Sequence, residues 1–254
     1  MEPVYPTPSA SSTAAPDPGP GSAFTVLFAP VKTFLGLAGR PRFVLAMLAL
    51  MVAASVSGVV VATKIDPAES QAQMREQFEK QGLAGQELDK AMERYASMSG
   101  AAVVPVVVAF TVLTIAIIVL LMAGLSLGGL KLAGASELSF KQALSLTAHS
   151  SMPAVIQQVL ILFVALGRDT VGIAEAQGGS LLMSNLGFLA SEESSAVVRA
   201  LLGSIDVFSL WTVALATLGG AVLGRVSRSA ALTVAGVLWL LGVLLRVGMA
   251  ILWG

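Results

Sequence analysis

An all-α, polytopic membrane helix bundle is the fold class this chain predicts, on three observations. Apolar residues gather into five runs, each near the 20 residues that cross a hydrocarbon core of about 30 Å as a helix. Only 12% of the 254 residues are charged and 56% are hydrophobic, whereas a soluble domain carries about 25% charged residues. The mean hydropathy is +0.84.

The elements follow in order. Residues 1–22 are rich in Pro, Ser, Ala and Gly and lack the basic and apolar regions of a signal peptide, which predicts a disordered cytosolic tail. A five-span membrane domain, 23–254, comes next. Phe24, Leu27, Phe28, Val31, Phe34 and Leu35 recur at helical spacing, predicting an amphipathic helix interrupted by Pro30 and closed by Gly39 and Pro41. Such a helix lies in the interface or docks on the bundle, and the two are compatible. Span one is expected at 43–62. Asp66-Pro67-Ala68-Glu69 then marks a helix start, with Asp66 as cap, Pro67 at the first position and Glu69 at the capping-box position.

An extramembrane helical hairpin is expected over 66–99, divided at Gly82 to Gly85. Its apolar stripes are Met74 and Phe78 on the first arm, and Leu88, Met92, Tyr95 and Met98 on the second. Span two is placed at 101–125, ending in the glycine-rich Gly124 to Gly129. Span three is placed at 143–166, with Pro153 able to kink it. Ser191-Glu192-Glu193 opens a helix leading into span four at 203–224, and span five follows at 229–252. The spacings Gly124-x-x-x-Gly128 and Gly220-x-x-x-Gly224 are expected to let helices approach within the bundle.

Charge placement gives an orientation. On the amino-terminal side Lys32, Arg40, Arg42, Lys131, Lys141, Arg225 and Arg228 flank spans directly. On the other side the acids dominate, and Arg75 to Lys90 sit in mid-loop. The rule that basic residues near span ends stay inside therefore predicts a cytoplasmic amino terminus and an external carboxyl terminus.

Two ionisable residues fall in the closing helical pair, Asp206 and Arg246. A charge in hydrocarbon is costly, about 3 kcal/mol on insertion scales, and needs a partner, an interface or a role. Each lies 20 residues from the turn near Val226, or roughly 30 Å along a helix. Antiparallel neighbours would thus bring them to one depth, and a structural Asp206–Arg246 pair is expected there. His149 is expected to bond a helix carbonyl or headgroup, since no acid stands four residues away to orient it.

Several chemistries are excluded on inventory. The net charge is zero and there is no cysteine, so nothing points to nucleic acid, a disulfide or a thiolate metal site. One histidine and no His-Glu-x-x-His leave no metalloprotease centre, and Asp206 has no second intramembrane aspartate. No Gly-Lys-Ser/Thr follows the glycine runs. The expectation is no cofactor and no enzyme activity.

Three segments together carry a resemblance: Phe28-Ala29-Pro30-Val31-Lys32-Thr33-Phe34 before span one, Ser139-Phe140-Lys141-Gln142-Ala143-Leu144 entering span three, and Ile205-Asp206-Val207-Phe208-Ser209-Leu210-Trp211 entering span four. With five spans behind a Pro-rich tail, the chain resembles the Yip family, the Ypt/Rab-interacting membrane proteins that share the Yip-one domain, and in particular its bacterial members. The likeness covers most of Phe24 to Leu252. It implies an all-helical five-span fold in the bacterial cytoplasmic (inner) membrane with a cytosolic amino terminus. Eukaryotic members bind small GTPases in vesicle traffic. The charged hairpin departs from their compact pattern, so that role is not carried over.

The function expected is a non-enzymatic membrane scaffold or adaptor organising partner proteins or the bilayer. Its partners would be the lipid bilayer and membrane proteins, including a second copy of the chain. Phe24, Leu27 and Phe28, with the stripes of Met74, Phe78, Leu88, Met92 and Tyr95, are the expected contact surface. The alternative is a small transporter or channel component for a lipid or other small solute. A cavity at membrane depth favours the second, and a dry bundle with a projecting hairpin favours the first.

Overall fold

The computed structural model describes residues 19, 21–97, 103–178, 180–191 and 194–253. The tail expected over 1–22 falls almost wholly outside these residues, as do Met98, Glu192 and Glu193. The elements are α1 (Ser22–Thr25), α2 (Pro30–Gly39), α3 (Val44–Lys64), α4 (Pro67–Lys80), α5 (Gln86–Ser97), α6 (Val103–Leu132), α7 (Phe140–Ser150), α8 (Met152–Leu166), α9 (Ile173–Gly178), a 3-10 turn (Leu186–Leu189), α10 (Ala196–Ser204), α11 (Val207–Gly224) and α12 (Arg228–Trp253). Five helical stretches are long and apolar enough to cross a membrane: α3, α6, α7 with α8, α11 and α12. The protein is an all-α, multi-pass membrane bundle.

Helix α3 packs on α6 and α8, and α11 packs on α12, α2 and α7. The core lies at the amino-terminal end of the bundle, where Phe34, Leu37, Leu130, Leu146, Met152 and Leu215 are buried together. The pre-span helix is therefore a core element. It docks on the bundle, because Phe34 and Leu37 lose all exposure, while Leu35 on its other face stays exposed. Gly219 makes room for it: a Cβ there would stand 2.6 Å from the Phe34 ring and against Leu146. A capping box of Ser139 and Gln142 starts α7, and the Gln142 amide also donates to the Ala38 carbonyl at 3.0 Å, tying α7 to the end of α2.

Several boundaries differ from expectation. Span two does not end in its glycines: α6 runs unbroken to Leu132 and closes at Gly134, whose φ of 105° only glycine adopts without strain. Gly124 and Gly128 have nothing within 4 Å of a built Cβ, so that spacing packs no helix among the described residues. Gly129 does the work instead, with Val234 of α12 2.8 Å from its Cβ position. The second spacing is a close approach, since a Cβ built at Gly220 would stand 3.4 Å from Leu130 of α6 and Ala231 of α12, and one at Gly224 3.1 Å from the Ala135 methyl. Span four begins at Val207, four residues later than expected, because α10 is a separate helix capped by Ser195.

The hairpin forms as α4 and α5. Asp66 accepts from the Ala68 N–H at 2.8 Å with Pro67 in the first turn. Glu69 does not close a capping box; it accepts the Ile173 N–H at 3.1 Å and pins the hairpin to the loop after α8. Two backbone bonds, Val171 N–H to Lys64 O at 2.7 Å and Asp66 N–H to Val171 O at 3.2 Å, add to that clamp. The apolar stripes are not an outward surface. Leu88 is only 5% exposed, Met74, Phe78, Met92 and Tyr95 are half-buried, and the arms contact each other. A Ser70–Tyr95 hydroxyl bond crosses between them. Amphipathic helices side by side can shield part of each other's apolar stripe. Phe24 and Phe28 of the pre-span segment remain exposed, and Leu27 is half-buried against the core.

Candidate functional site

The third span breaks in its middle. Pro153 sits in the first turn of α8, and Ser151 lies between α7 and α8 with its hydroxyl bonded to the Thr147 carbonyl at 2.9 Å. Beside this break α6, α11 and α12 line an open cavity of about 500 Å³. From Asp206 to Ala216 it follows α11 for ten residues, roughly 15 Å and half a bilayer core. Met122, Leu146, Val213, Ala216, Leu238 and Val243 make its walls apolar. Gln157, Asn185, Asp206 and Arg246 form its polar end.

Asp206 organises that end. It is the N-cap of α11, and Oδ1 accepts from the N–H groups of Phe208 at 2.8 Å and Ser209 at 3.1 Å. Oδ2 accepts from the Ser184 hydroxyl and, at 3.4 Å, from the Gln157 amide. The side chain is only 7% exposed. The loop carrying Ser184 and Asn185 folds over this end through Val207 N–H to Ser184 O at 3.0 Å and Leu186 N–H to Ile205 O at 3.1 Å. Arg246 lines the same cavity and donates to the Gly203 carbonyl at 3.1 Å. Asp206 and Arg246 thus reach one cavity, and the bonds around Asp206 make it a helix cap before it is anything else.

Beside the cavity, Thr147 Oγ1 and Ser150 Oγ are buried and have no hydrogen-bond partner among the described residues. Ser150 is 2% exposed.

His149 does not face this cavity. Its Nδ1 donates to the Ser145 carbonyl at 2.9 Å, and its Nε2 lies in hydrogen-bond contact with the Ser22 hydroxyl at 3.3 Å. It holds α1 to α7. Of the segments singled out in the sequence, Phe140 and Lys141 sit exposed in the first turn of α7, Ile205 is exposed, Phe208 lines the cavity and Trp211 packs against the core.

The resemblance read from the three segments is borne out by a family comparison. The Yip1 domain matches residues 24–249, nearly the whole chain. The chain belongs to the Yip1 domain family. No curated protein and no solved structure matches it. Within this Yip1-domain protein, sequence reasoning missed Gln157 and Gln158. Gln158 bonds Ser57 of α3 and Gln157 bonds Asp206. Two consecutive amides inside an apolar run were a legible signal, since each must find a partner in hydrocarbon. Ser184 and Asn185 carried no such signal, being polar residues in a polar loop. Among the described residues no group of three His, Cys, Asp or Glu is placed to hold a metal ion.

Proposed function

We propose that this Yip1-domain protein is a non-enzymatic membrane protein that holds a small amphipathic molecule, a lipid or a comparable solute, between its helices. The observation that carries this is the cleft, with apolar walls and a polar end formed by Gln157, Asn185, Asp206 and Arg246. Such a mixture suits a guest with an apolar body and a few polar atoms. The Asp206 carboxylate is engaged by four donors, which suits a group that shapes a site rather than one that moves protons. The same reading sets the chain in a bacterial inner membrane with the amino terminus in the cytoplasm, following its basic residues.

The test fills the cavity. Native mass spectrometry of detergent-purified protein is expected to show a co-purified small amphiphile on the wild-type chain and none on a Thr212→Phe, Ala216→Phe variant of equal helicity. Equal occupancy of the two would overturn the reading.

A scaffold or adaptor role is the second reading, favoured by the rigid mounting of the α4–α5 hairpin through Asp66, Glu69 and Val171. A projecting element clamped at its base presents a defined surface to membrane-protein partners or a second copy. Crosslinking in the native membrane, with and without residues 67–97, tests it. Loss of specific crosslinked species on deletion supports the role, and an unchanged pattern removes it.

A further inference from the structure

Helix α10 turns an apolar face away from the bundle. Ala200, Gly203 and Ser204 are buried, and at about 100° per residue they share one side of the helix. Val198, Leu201 and the C-cap Ile205 fall on the opposite side and are 42%, 45% and 40% exposed. Arg199, the one charged residue of α10, lies on the flank and donates to the Ser194 carbonyl at 2.6 Å. A surface helix in water shows the reverse pattern, polar outward and apolar inward. The 3-10 turn packed beside α10 extends the patch with Phe188 at 59% and Leu189 at 62% exposure.

The depth of this patch is fixed by a contact with a span. Helix α10 packs on α12, and its Gly203 carbonyl accepts from Arg246 at 3.1 Å. Arg246 stands 18 residues into the span that opens at Arg228, roughly 27 Å along it. The hydrocarbon core is about 30 Å thick, so the end of α10 is held at its carboxyl-terminal-side edge. Nine residues are too few to cross the core, and an apolar helix held at that edge suits the plane of the interface. Directly after Ile205, Val207 and Leu210 are exposed on the next span. The apolar surface of α10 therefore runs on into one that faces lipid.

We propose that α10 and the 3-10 turn rest in the carboxyl-terminal-side leaflet, with Phe188, Leu189, Val198, Leu201 and Ile205 among the acyl chains. The occupant of this face is lipid. Arg199 reaches the headgroups from the flank while its stem stays on apolar surface. Gly203 and Ser204 of the same helix line the cavity, so the element that rests in the leaflet also forms part of the cavity wall. The proposal needs only that the chain spans a membrane, and it stands apart from what the cavity holds.

Single nitroxide labels on this cysteine-free chain read depth in the full-length protein reconstituted into phosphatidylcholine vesicles. Phe188→Cys and Leu201→Cys are measured by power saturation against oxygen, which concentrates in lipid, and against a water-soluble nickel chelate. Gln73→Cys on the exposed surface of α4 is the aqueous reference. Val237→Cys, exposed in the middle of the α12 span, is the lipid reference. The oxygen-to-nickel ratio at positions 188 and 201 is expected to exceed that at 73 several-fold and to fall below that at 237. A ratio equal to that at 73 would put the face in water and overturn the proposal. Labels shielded from both reagents would overturn it too, showing that protein covers the face. A second measurement leaves the chain unmodified. A phosphatidylcholine carrying a diazirine on its acyl chain, photolysed in the same vesicles, should form adducts within residues 186–205. Adducts on the spans with none over 186–205 would overturn the proposal without any variant.

Discussion

Replacing Asp206 separates two accounts of the closing helices. If Asp206 and Arg246 were chiefly an ion pair, exchanging them, Asp206→Arg with Arg246→Asp, would restore what either single change loses. The hydrogen bonds argue otherwise. Oδ1 takes the N–H groups of Phe208 and Ser209, and Oδ2 takes Ser184 and Gln157. A guanidinium has five donors and no acceptor, so it can replace none of these. Losing an N-cap costs about 1 kcal/mol, and each buried donor left without a partner adds about 1 kcal/mol or more. Asp206→Ala should therefore destabilise by about 3 kcal/mol. Asp206→Asn keeps one acceptor oxygen and should cost about 1 kcal/mol. The exchanged double variant should be no more stable than Asp206→Arg alone. Unfolding in a denaturing detergent, followed by the fluorescence of Trp211 and Trp239, gives the ranking. A double variant as stable as wild type would refute the cap as the main role of Asp206.

Other outcomes follow from the same contacts. Gly219→Ala should destabilise by about 1–3 kcal/mol and loosen α2, because a methyl group there meets the Phe34 ring; Gly124→Ala and Gly128→Ala, with open space around them, should melt as wild type does. Glu69→Ala should remove the bond to the Ile173 N–H and raise hydrogen exchange in α4 and around Val171, whereas Glu69→Gln should preserve protection. Lys80, bonded to Glu76 at 2.8 Å one turn away, holds the Glu76 carboxyl below its ordinary value of 4.5. A lowered acid pKa adds stability that is present above 4.5 and is lost as pH falls through the lowered value. Titration of Glu76 by NMR should show that depression, and Lys80→Met should abolish it.

Length and hydropathy alone marked all five spans, because a bilayer core demands about 20 apolar residues whatever their neighbours. Asp66 and Pro67 marked the hairpin start for a similarly local reason, as caps act within one turn. What the sequence left hidden depends on partners distant in the chain. Nothing local distinguishes Gly219, which faces Phe34 and Leu146, from Gly124, which faces open space. The apolar stripes of α4 and α5 suggested an outer contact surface, yet Leu88 is buried and the two arms contact each other. Asp206 was legible as an ionisable residue at a span entrance. Its role was not, since Ser184 and Gln157 come from a loop and a helix 22 and 49 residues away. The cavity itself arises where the α7–α8 break meets α11 and α12. Pro153 signalled a bend there without showing that a chamber opens beside it.

The chain has no cysteine, so a single thiol can report on the cavity directly. In native membranes, Thr212→Cys on the cavity wall should react with a dodecyl maleimide faster than Leu244→Cys, on a lipid-facing position 66% exposed. Added dodecyl phosphocholine should slow the Thr212→Cys reaction and leave Leu244→Cys unchanged. Equal rates, with no protection at position 212, would contradict a cavity that accepts an amphipathic guest.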